Sequence, residues 1–214
     1  ILETPPKPKK PSQKKGLIEF KHVDFAYGKE VVLKDINIIM PPKKVIAVIG
    51  ESGSGKSTLV KLITRHYDSV NGSIEFDGID LRDWNLEALR KRVAVVSQHS
   101  EIFSRTIMEN IAYGRPDAKK KDVIEAAKKA NAHEFIKSFN EGYETQVGEK
   151  GVRLSGVQQQ RLSIARALLT NPEIIIFDEA TSSLDSESEL KIQDALFANR
   201  GKCTMIIIAH RLST

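Results

Sequence analysis

A glycine-rich loop between an apolar run and a helical pattern most limits what this chain can fold into. The loop is GESGSGKS, Gly50 to Ser57, and it matches the phosphate-binding pattern G-x-x-x-x-G-K-[ST] in full. The apolar run VIAVI precedes it, and KSTLVKLITRHY follows with helical periodicity. Glycines allow the backbone N–H groups to turn toward phosphate oxygens, beside the positive end of the helix dipole. The sequence therefore predicts a strand, loop and helix that bind a nucleotide.

The polar side chains of this loop have predicted tasks. Lys56 is expected to reach the β- and γ-phosphates, Ser57 to bind Mg²⁺, and Thr58 to donate to the α-phosphate. The residues expected to surround the phosphates are Gly50, Glu51, Ser52, Gly53, Ser54, Gly55, Lys56, Ser57 and Thr58. The loop alone does not distinguish a kinase, a GTPase or an ATPase.

An acidic pair follows a second apolar run. The run IIIF ends in Asp178 and Glu179, at the carboxyl end of a predicted buried strand, where open α/β sheets bind ligands. Adjacent carboxylates on a strand point in different directions, so they can serve different purposes. Asp178 is expected to hold Mg²⁺, and Glu179 to position or deprotonate an attacking water. The pair favours nucleotide hydrolysis.

Alternation of buried strands and helices predicts an α/β fold with a largely parallel sheet. The earlier alternating runs 17–27, 31–40 and 73–81 predict an antiparallel flank. A helix from about Val157 to Leu169 is expected to end at Asn171-Pro172. A single amphipathic helix is predicted over 117–139. Its apolar side is expected to carry Val123, Ala126, Ala127, Ala130 and Phe135.

The positive charge is concentrated at one end of the chain. The net charge of the 214 residues is +5, and the first fifteen residues alone hold five lysines and one glutamate. The rest is nearly neutral, which argues against a nucleic-acid-binding domain. Residues 1–16 are rich in proline and lysine and are predicted to form an extended linker. Two explanations of its charge stay open: solubility, or attraction to anionic lipid.

The pairing of LSGVQQQRLSIARALL with NPEIIIFDEATSSLD resembles the nucleotide-binding domain of ABC transporters. The resemblance runs from Leu17 onward and implies a P-loop NTPase core over 17–214, with a helical signature subdomain at about 99–170. It implies ATP and Mg²⁺ as ligands and a head-to-tail dimer, in which each ATP lies between one chain's phosphate loop and the other's signature. The family elements that follow His210 are expected to be missing after Thr214, and 1–16 to connect to a preceding membrane domain.

Other positions match the family pattern one by one. The resemblance implies that Tyr27 stacks on adenine and that Gln98 contacts Mg²⁺ and the attacking water. It also implies that Asp185 crosses the dimer and that His210 contacts the γ-phosphate. The signature residues expected at the partner's nucleotide are Ser155, Gly156, Val157 and Gln158. Without the resemblance, Tyr27 is equally a core tyrosine that ends a strand.

Two further segments resemble exporters. They are QHSEIFSRTIMENIAYG after Gln98 and TQVGEKGVRLSG before the signature, with Glu149 as its acidic member. The resemblance implies a transmembrane domain as partner, joined through coupling helices, and a membrane-associated domain on the cytoplasmic or organelle-matrix face. The alternative function is a soluble ABC ATPase acting on ribosomes or nucleic acid. A purely regulatory nucleotide binder is a third, disfavoured by Glu179, Gln98 and His210.

Val157 stands where the family signature has a glycine. Ser155 and Gln158 have the form of a capping box, which places Val157 in the first helical turn with ordinary dihedrals. A valine there costs only a few tenths of a kcal/mol in helix propensity. Its side chain hinders the approach of a γ-phosphate to the backbone N–H, so ATP-driven dimer closure is expected to weaken about tenfold to a hundredfold. Two interpretations stay level: one half of a heterodimer, or a slow homodimer.

Overall fold

The computed structural model describes residues 2–9, 15–97, 101–149, 151–178 and 201–209. The described residues divide into two compact units: 2–9, 15–93, 173–178 and 201–209 form the first, and 94–97, 101–149 and 151–172 form the second. The described strands are β1 (Ile18–Tyr27), β2 (Glu30–Met40), β3 (Val45–Ile49), β4 (Asn71–Phe76), β5 (Ile79–Asp80), β6 (Val93–Ser97), β7 (Ile174–Asp178) and β8 (Thr204–Ala209). The described helices are α1 (Lys56–Ile63), α2 (Leu86–Arg92), α3 (Ile107–Ala112), α4 (Lys120–Lys129), α5 (His133–Lys137) and α6 (Gly156–Leu169).

The first unit contains the predicted antiparallel flank. Its strands run in the order β2-β1-β4-β5, and Phe20 of β1 lies opposite Ile38 of β2 and Ile74 of β4. Residues 73–81, predicted as one strand, form β4 and β5 with a turn at Asp77-Gly78, where both residues have positive φ. Alternate residues of β1, among them Ile18 and Phe20, are buried, as a sheet with one covered face requires.

Parallel strands form the other sheet of this unit, as predicted. β8 lies between β3 and β7, and Ile206 of β8 pairs with Ile46 on one side and Ile176 on the other. Ile176 and Ile206 belong to one hydrophobic cluster with residues of β1, β4 and α1, such as Leu62. Because parallel strands end at the same edge, β3 and β7 bring their carboxyl ends to one side of the unit.

A buried ionic cluster closes the opposite edge of this unit. The Asp77 carboxylate accepts hydrogen bonds from the backbone N–H groups of Lys15, Gly16 and Leu17 at 2.9–3.0 Å. The Arg92 guanidinium donates to Asp77 at 2.9 Å and also pairs with Glu173, immediately before β7. Removing one member would leave a buried charge without its partner, which typically lowers the free energy of unfolding by about 3–5 kcal/mol. The cluster fastens the start of the domain to both sheets.

The second unit is mostly helical, and α6 packs against α3 and α4. The prediction of one helix over 117–139 is wrong, because α4 ends before Ala130 and α5 begins at His133. Asn131 has a φ of 53° and its N–H donates to Lys128, while the N–H of Ala132 donates to Ala127. These two bonds form a Schellman motif, which ends a helix although the apolar spacing continues.

The apolar side of this helical pair also differs at one position. Four of the predicted residues are buried, namely Val123, Ala126, Ala127 and Ala130. Phe135 is only partly buried, and Ile136 is fully buried instead. The break at Asn131 rotates α5 relative to the helical phase of α4, so a different residue of α5 faces inward. Across the described parts of both units, no helix has the length and apolar character needed to cross a lipid bilayer.

Candidate nucleotide-binding site

The phosphate loop connects β3 to α1 in the first unit, and its glycines meet real steric limits. Gly53 and Gly55 have φ values of 83° and 89°, a region that L-residues rarely adopt. A Cβ on Gly55 would also lie 2.7 Å from the Leu33 Cδ2 atom. A Cβ on Gly50 would approach the Ser54 hydroxyl to 2.8 Å. The backbone therefore turns where only glycine fits.

Lys56 is drawn into the loop that precedes it. Its ammonium donates hydrogen bonds to the carbonyl oxygens of Gly50 and Glu51 at 2.7 and 2.6 Å, and the residue is only 6% exposed. The printed acceptors of this buried cation, two loop carbonyls and the more distant Ser54 hydroxyl, are uncharged, so an anion at the loop would gain a charge-assisted hydrogen bond. Ser57 is exposed at the start of α1, whereas Thr58 is buried. The arrangement suits a phosphate.

The helix that follows adds its own attraction for anions. α1 begins at Lys56 and its first turn carries no acidic residue. The free N–H groups and the dipole of this helix end therefore face the loop without a carboxylate from the helix's own first turn. Three sources of positive potential therefore meet at the loop: its backbone N–H groups, the Lys56 ammonium and the dipole of α1.

Asp178 ends β7 on the same side of the sheet as the phosphate loop. Asp178 pairs in register with Ile208 of β8, and Ile49, the last residue before the loop, pairs with Ala209. With one strand between β3 and β7, the two strand ends lie roughly 10 Å apart. Ser57 and Asp178 offer hydroxyl and carboxylate oxygens, the hard donors that Mg²⁺ prefers. The donor set fits a magnesium ion carried with its water shell.

Tyr27 stands at the end of β1, where it packs as a core tyrosine, and its stacking on adenine stays a prediction. Its ring packs on Phe25 at a centroid distance of 4.8 Å with perpendicular planes, as a core tyrosine does. Its hydroxyl, however, lies 3.4 Å from the Thr58 hydroxyl at the start of α1. The Lys61 ammonium lies over the ring, 5.4 Å from its centroid. The ring thus stands beside the phosphate loop and is only half-buried.

The signature lies in the second unit and begins α6. The Ser155 hydroxyl accepts from the Gln158 N–H at 3.3 Å, and the Gln158 side chain accepts from the Ser155 N–H at 2.9 Å, which confirms the predicted capping box. The helix starts one residue earlier than predicted, at Gly156, and Val157 lies in its first turn, half-buried. The expectation of helical dihedrals for Val157 is confirmed, so the valine introduces no backbone strain.

Gly156 differs from the glycines of the phosphate loop. Its φ lies outside the left-handed region, and within the described residues no atom lies within 4 Å of the place where its Cβ would be. Ser155 and Gly156 are both exposed. The signature therefore presents an open helix start, whose glycine no local contact demands.

The exporter-like segment after Gln98 is also part of the second unit. The fully buried Asn110 holds it together, because its amide donates to the carbonyls of Phe103 and Thr106 at 3.0 Å. Arg166 of α6 donates to the Asn110 carbonyl at 2.9 Å and lies over the rings of Phe103 and Tyr113. Burial lowers the pKa of the Arg166 guanidinium. A recess of about 320 Å³ opens beside Arg166, and Tyr113 is 59% exposed.

The structure places only part of the predicted site. Tyr27, the phosphate loop and Asp178 come together in the first unit, and the four signature residues stand in the second. The predicted positions Gln98, Glu179, Asp185 and His210 lie outside the described residues. The sequence analysis missed two residues at Tyr27, which are Lys61 and Tyr67. No sequence signal marks them, because their proximity depends on how β1 packs against α1.

Comparison with known proteins gives a consistent result. Residues 33–182 match the family described as ABC transporter. A Bacillus subtilis (strain 168) protein, YgaD, named as a multidrug export ATP-binding/permease protein, is 52% identical over 96% of this chain and 36% of its own length. ABC transporter B family member 4 of Dictyostelium discoideum is 52% identical over 94% of this chain and 26% of its own length. The chain thus spans about a third or less of these relatives.

A solved structure agrees with the sequence relatives. It is the structure of a bacterial Atm1-family ABC exporter with ATP bound. The two structures superpose with a TM-score of 0.91, and the sequences are 39% identical. The match covers 100% of this chain and 37% of the exporter chain. The predicted P-loop NTPase fold, with its two sheets and signature helix, is confirmed. These relatives do not favour the ribosome or nucleic-acid alternative.

Proposed function

Since the chain belongs to the ABC transporter family, we propose that it is the ATP-hydrolysing domain of an exporter. The observation that carries the proposal is the phosphate loop, in which the Lys56 ammonium is buried among the carbonyls of Gly50 and Glu51. The loop binds ATP, and a nucleotide phosphate would replace these weak acceptors with a charged one. The exporter relatives and the ATP-bound structure support the assignment.

Hydrolysis is assigned to named residues of this chain. Lys56 stabilises charge on the β- and γ-phosphates. Ser57 and Asp178 would hold a Mg²⁺ ion, which would supply positive charge to the phosphate oxygens. Glu179 positions or deprotonates the attacking water, in line with the γ-phosphate. Gln98 orients the water and the metal shell, and His210 donates to the γ-phosphate. Tyr27 stacks on the adenine base.

The signature serves a nucleotide held by a second nucleotide-binding domain. In this proposal two domains close head to tail, and the helix start at Ser155, Gly156 and Gln158 approaches the partner's γ-phosphate, while Asp185 crosses the interface. An exposed, capped helix start supports this role, because its free N–H groups attract anions. The Val157 side chain hinders the approach of the partner's γ-phosphate to the backbone N–H groups. This valine is compatible with two assemblies: a heterodimer with one weak site, or a homodimer that closes slowly.

A membrane domain is the second proposed partner. Dimer closure and opening drive the membrane domain through its coupling helices, which contact the exporter-like segment after Gln98 that includes Tyr113. The recess beside Arg166 and the exposed Tyr113 ring supply a shaped surface with aromatic and charged groups for that contact. Residues 1–16 connect the domain to the membrane domain, so the chain works at a membrane surface, on its cytoplasmic or organelle-matrix face.

Phosphate release and ATP binding, measured on the same variants, test the assignment. With Mg²⁺, Glu179→Gln is expected to bind ATP as the unchanged chain does and to stop releasing phosphate. Lys56→Ala is expected to weaken ATP binding about tenfold to a hundredfold, because charged hydrogen bonds to the phosphates are lost. Lys44→Ala, an exposed lysine of the same unit, serves as the control and should change neither quantity. Normal hydrolysis by Glu179→Gln would remove that residue from catalysis.

A further inference from the structure

Three aromatic rings meet at the end of β1 in the first unit. Tyr67, in the loop after α1, packs on Tyr27 at a centroid distance of 5.3 Å with ring planes 87° apart, and on Phe25 at 5.6 Å. Exposure increases from Phe25, at 3%, to Tyr67, at 43%. Perpendicular packing restricts the rotation of the Tyr27 ring. Among the described residues, both rings that pack on Tyr27, those of Phe25 and Tyr67, are perpendicular to it.

The loop that carries Tyr67 is held from both sides. Arg65 has a φ of 48° and ends α1 in a Schellman motif, with the N–H of His66 donating to the Lys61 carbonyl at 2.7 Å. The Arg65 guanidinium donates to the Asp68 carboxylate at 2.9 Å, and the Arg65 side chain is only 5% exposed.

Contacts from other elements complete this support. Arg90 of α2 donates to the carbonyls of Thr64 and Arg65 at 3.3 and 3.0 Å. The N–H of Val70 donates to the Asp24 carbonyl of β1 at 2.9 Å, which closes the loop back onto the strand that carries Tyr27. An exposed tyrosine is thus placed on a rigid loop, directly against the proposed base-stacking ring.

We propose that Tyr67 is a positioning residue for the nucleotide base, acting through the ring of Tyr27; this inference rests on the proposed function. Tyr27 is fixed at its tip by Thr58, under its face by Lys61 and at its side by Tyr67. Without Tyr67, the half-buried ring of Tyr27 regains rotation that base stacking must then restrict. ATP binding therefore loses part of the base contact, while the phosphates keep theirs.

The competing role for Tyr67 is a simple apolar cover over Phe25. Tyr67→Leu separates the two roles, because leucine covers Phe25 but has no ring to pack perpendicular to Tyr27. Tyr67→Phe keeps the ring and loses only the hydroxyl. Magnesium triphosphate, which carries the phosphates without a base, reports the phosphate loop alone.

Titration calorimetry with Mg-ATP and with magnesium triphosphate, on this chain and its variants, tests the inference. Tyr67→Leu is expected to weaken ATP binding about threefold to tenfold and leave triphosphate binding unchanged, and Tyr67→Phe to restore ATP binding. Equal weakening of both ligands, or unchanged ATP binding by Tyr67→Leu, would overturn the positioning role. Lys56→Ala gives the signal expected when the phosphate loop does not bind. If the unchanged chain bound ATP and triphosphate no better than Lys56→Ala does, the proposed function would fail as well.

Discussion

The phosphate loop and the signature both depend on glycine, but for different reasons. Gly55 has a φ of 89° and a Cβ there would meet Leu33 at 2.7 Å, so the fold of the first unit itself requires glycine. Gly156 starts a regular helix, and none of the described atoms lies within 4 Å of its missing Cβ. The first glycine is needed for folding. No described contact within the chain requires the second glycine, Gly156. In the proposed dimer, a glycine there leaves room for the partner's nucleotide to approach.

Val157 follows the same logic. It occupies the first turn of α6 under the Ser155 cap, and the helix forms around it without strain. A substitution that folding tolerates can still block the approach of a phosphate to the backbone. The phosphate loop therefore has its steric requirements inside the monomer, whereas the signature's requirement lies at the interface of the dimer proposed above.

Substituting each glycine by alanine has the largest expected effect and tests this difference directly. Gly55→Ala should lower the free energy of unfolding by about 1–3 kcal/mol through backbone strain, with a further loss from the contact with Leu33. Gly156→Ala should instead raise the free energy of unfolding by about 0.5–1 kcal/mol, because alanine favours a helix over glycine. Urea unfolding of both variants measures this. Similar losses of unfolding free energy in the two variants would show that Gly55 and Gly156 do not differ in what the fold requires of them.

Val157→Gly tests the interface side of the comparison. In a Glu179→Gln background with ATP and Mg²⁺, it is expected to strengthen dimerisation about tenfold to a hundredfold, because the hydrogen bond from the backbone to the γ-phosphate becomes accessible. Light scattering at several protein concentrations gives the dimer constant. Equal dimerisation with and without Val157→Gly would show that valine is tolerated and would favour the homodimer.

Ser155→Ala is expected to have a smaller effect on the fold than Gly55→Ala. Loss of the cap should reduce the free energy of unfolding by about 1 kcal/mol, since the N–H of Gln158 loses its acceptor. Ser155→Asp, which can also cap the helix, is the matched control and should retain stability while placing a negative charge at the helix start. Melting temperatures of both variants give the result. A loss with aspartate equal to that with alanine would argue against the cap.

Much of the fold was predictable, because its signals are local. The apolar run before Gly50 and the capping residues around Ser155 specify a strand end and a helix start within a few residues of sequence. The break at Asn131 was missed because the apolar spacing continues through it, and only the tolerance of asparagine for positive φ hinted at a stop. The place of Tyr67 beside Tyr27 was not predictable, since it depends on tertiary packing.

We propose that the phosphate loop binds ATP within one chain, whereas the signature contacts only the nucleotide of a partner. The most direct test is equilibrium dialysis of ATP against Lys56→Ala and Ser155→Ala at concentrations where the chain is monomeric. We expect Lys56→Ala to bind ATP about tenfold to a hundredfold more weakly and Ser155→Ala to bind ATP with the affinity of the unchanged chain. If Ser155→Ala weakened ATP binding by the monomer as much as Lys56→Ala does, the claim would be contradicted.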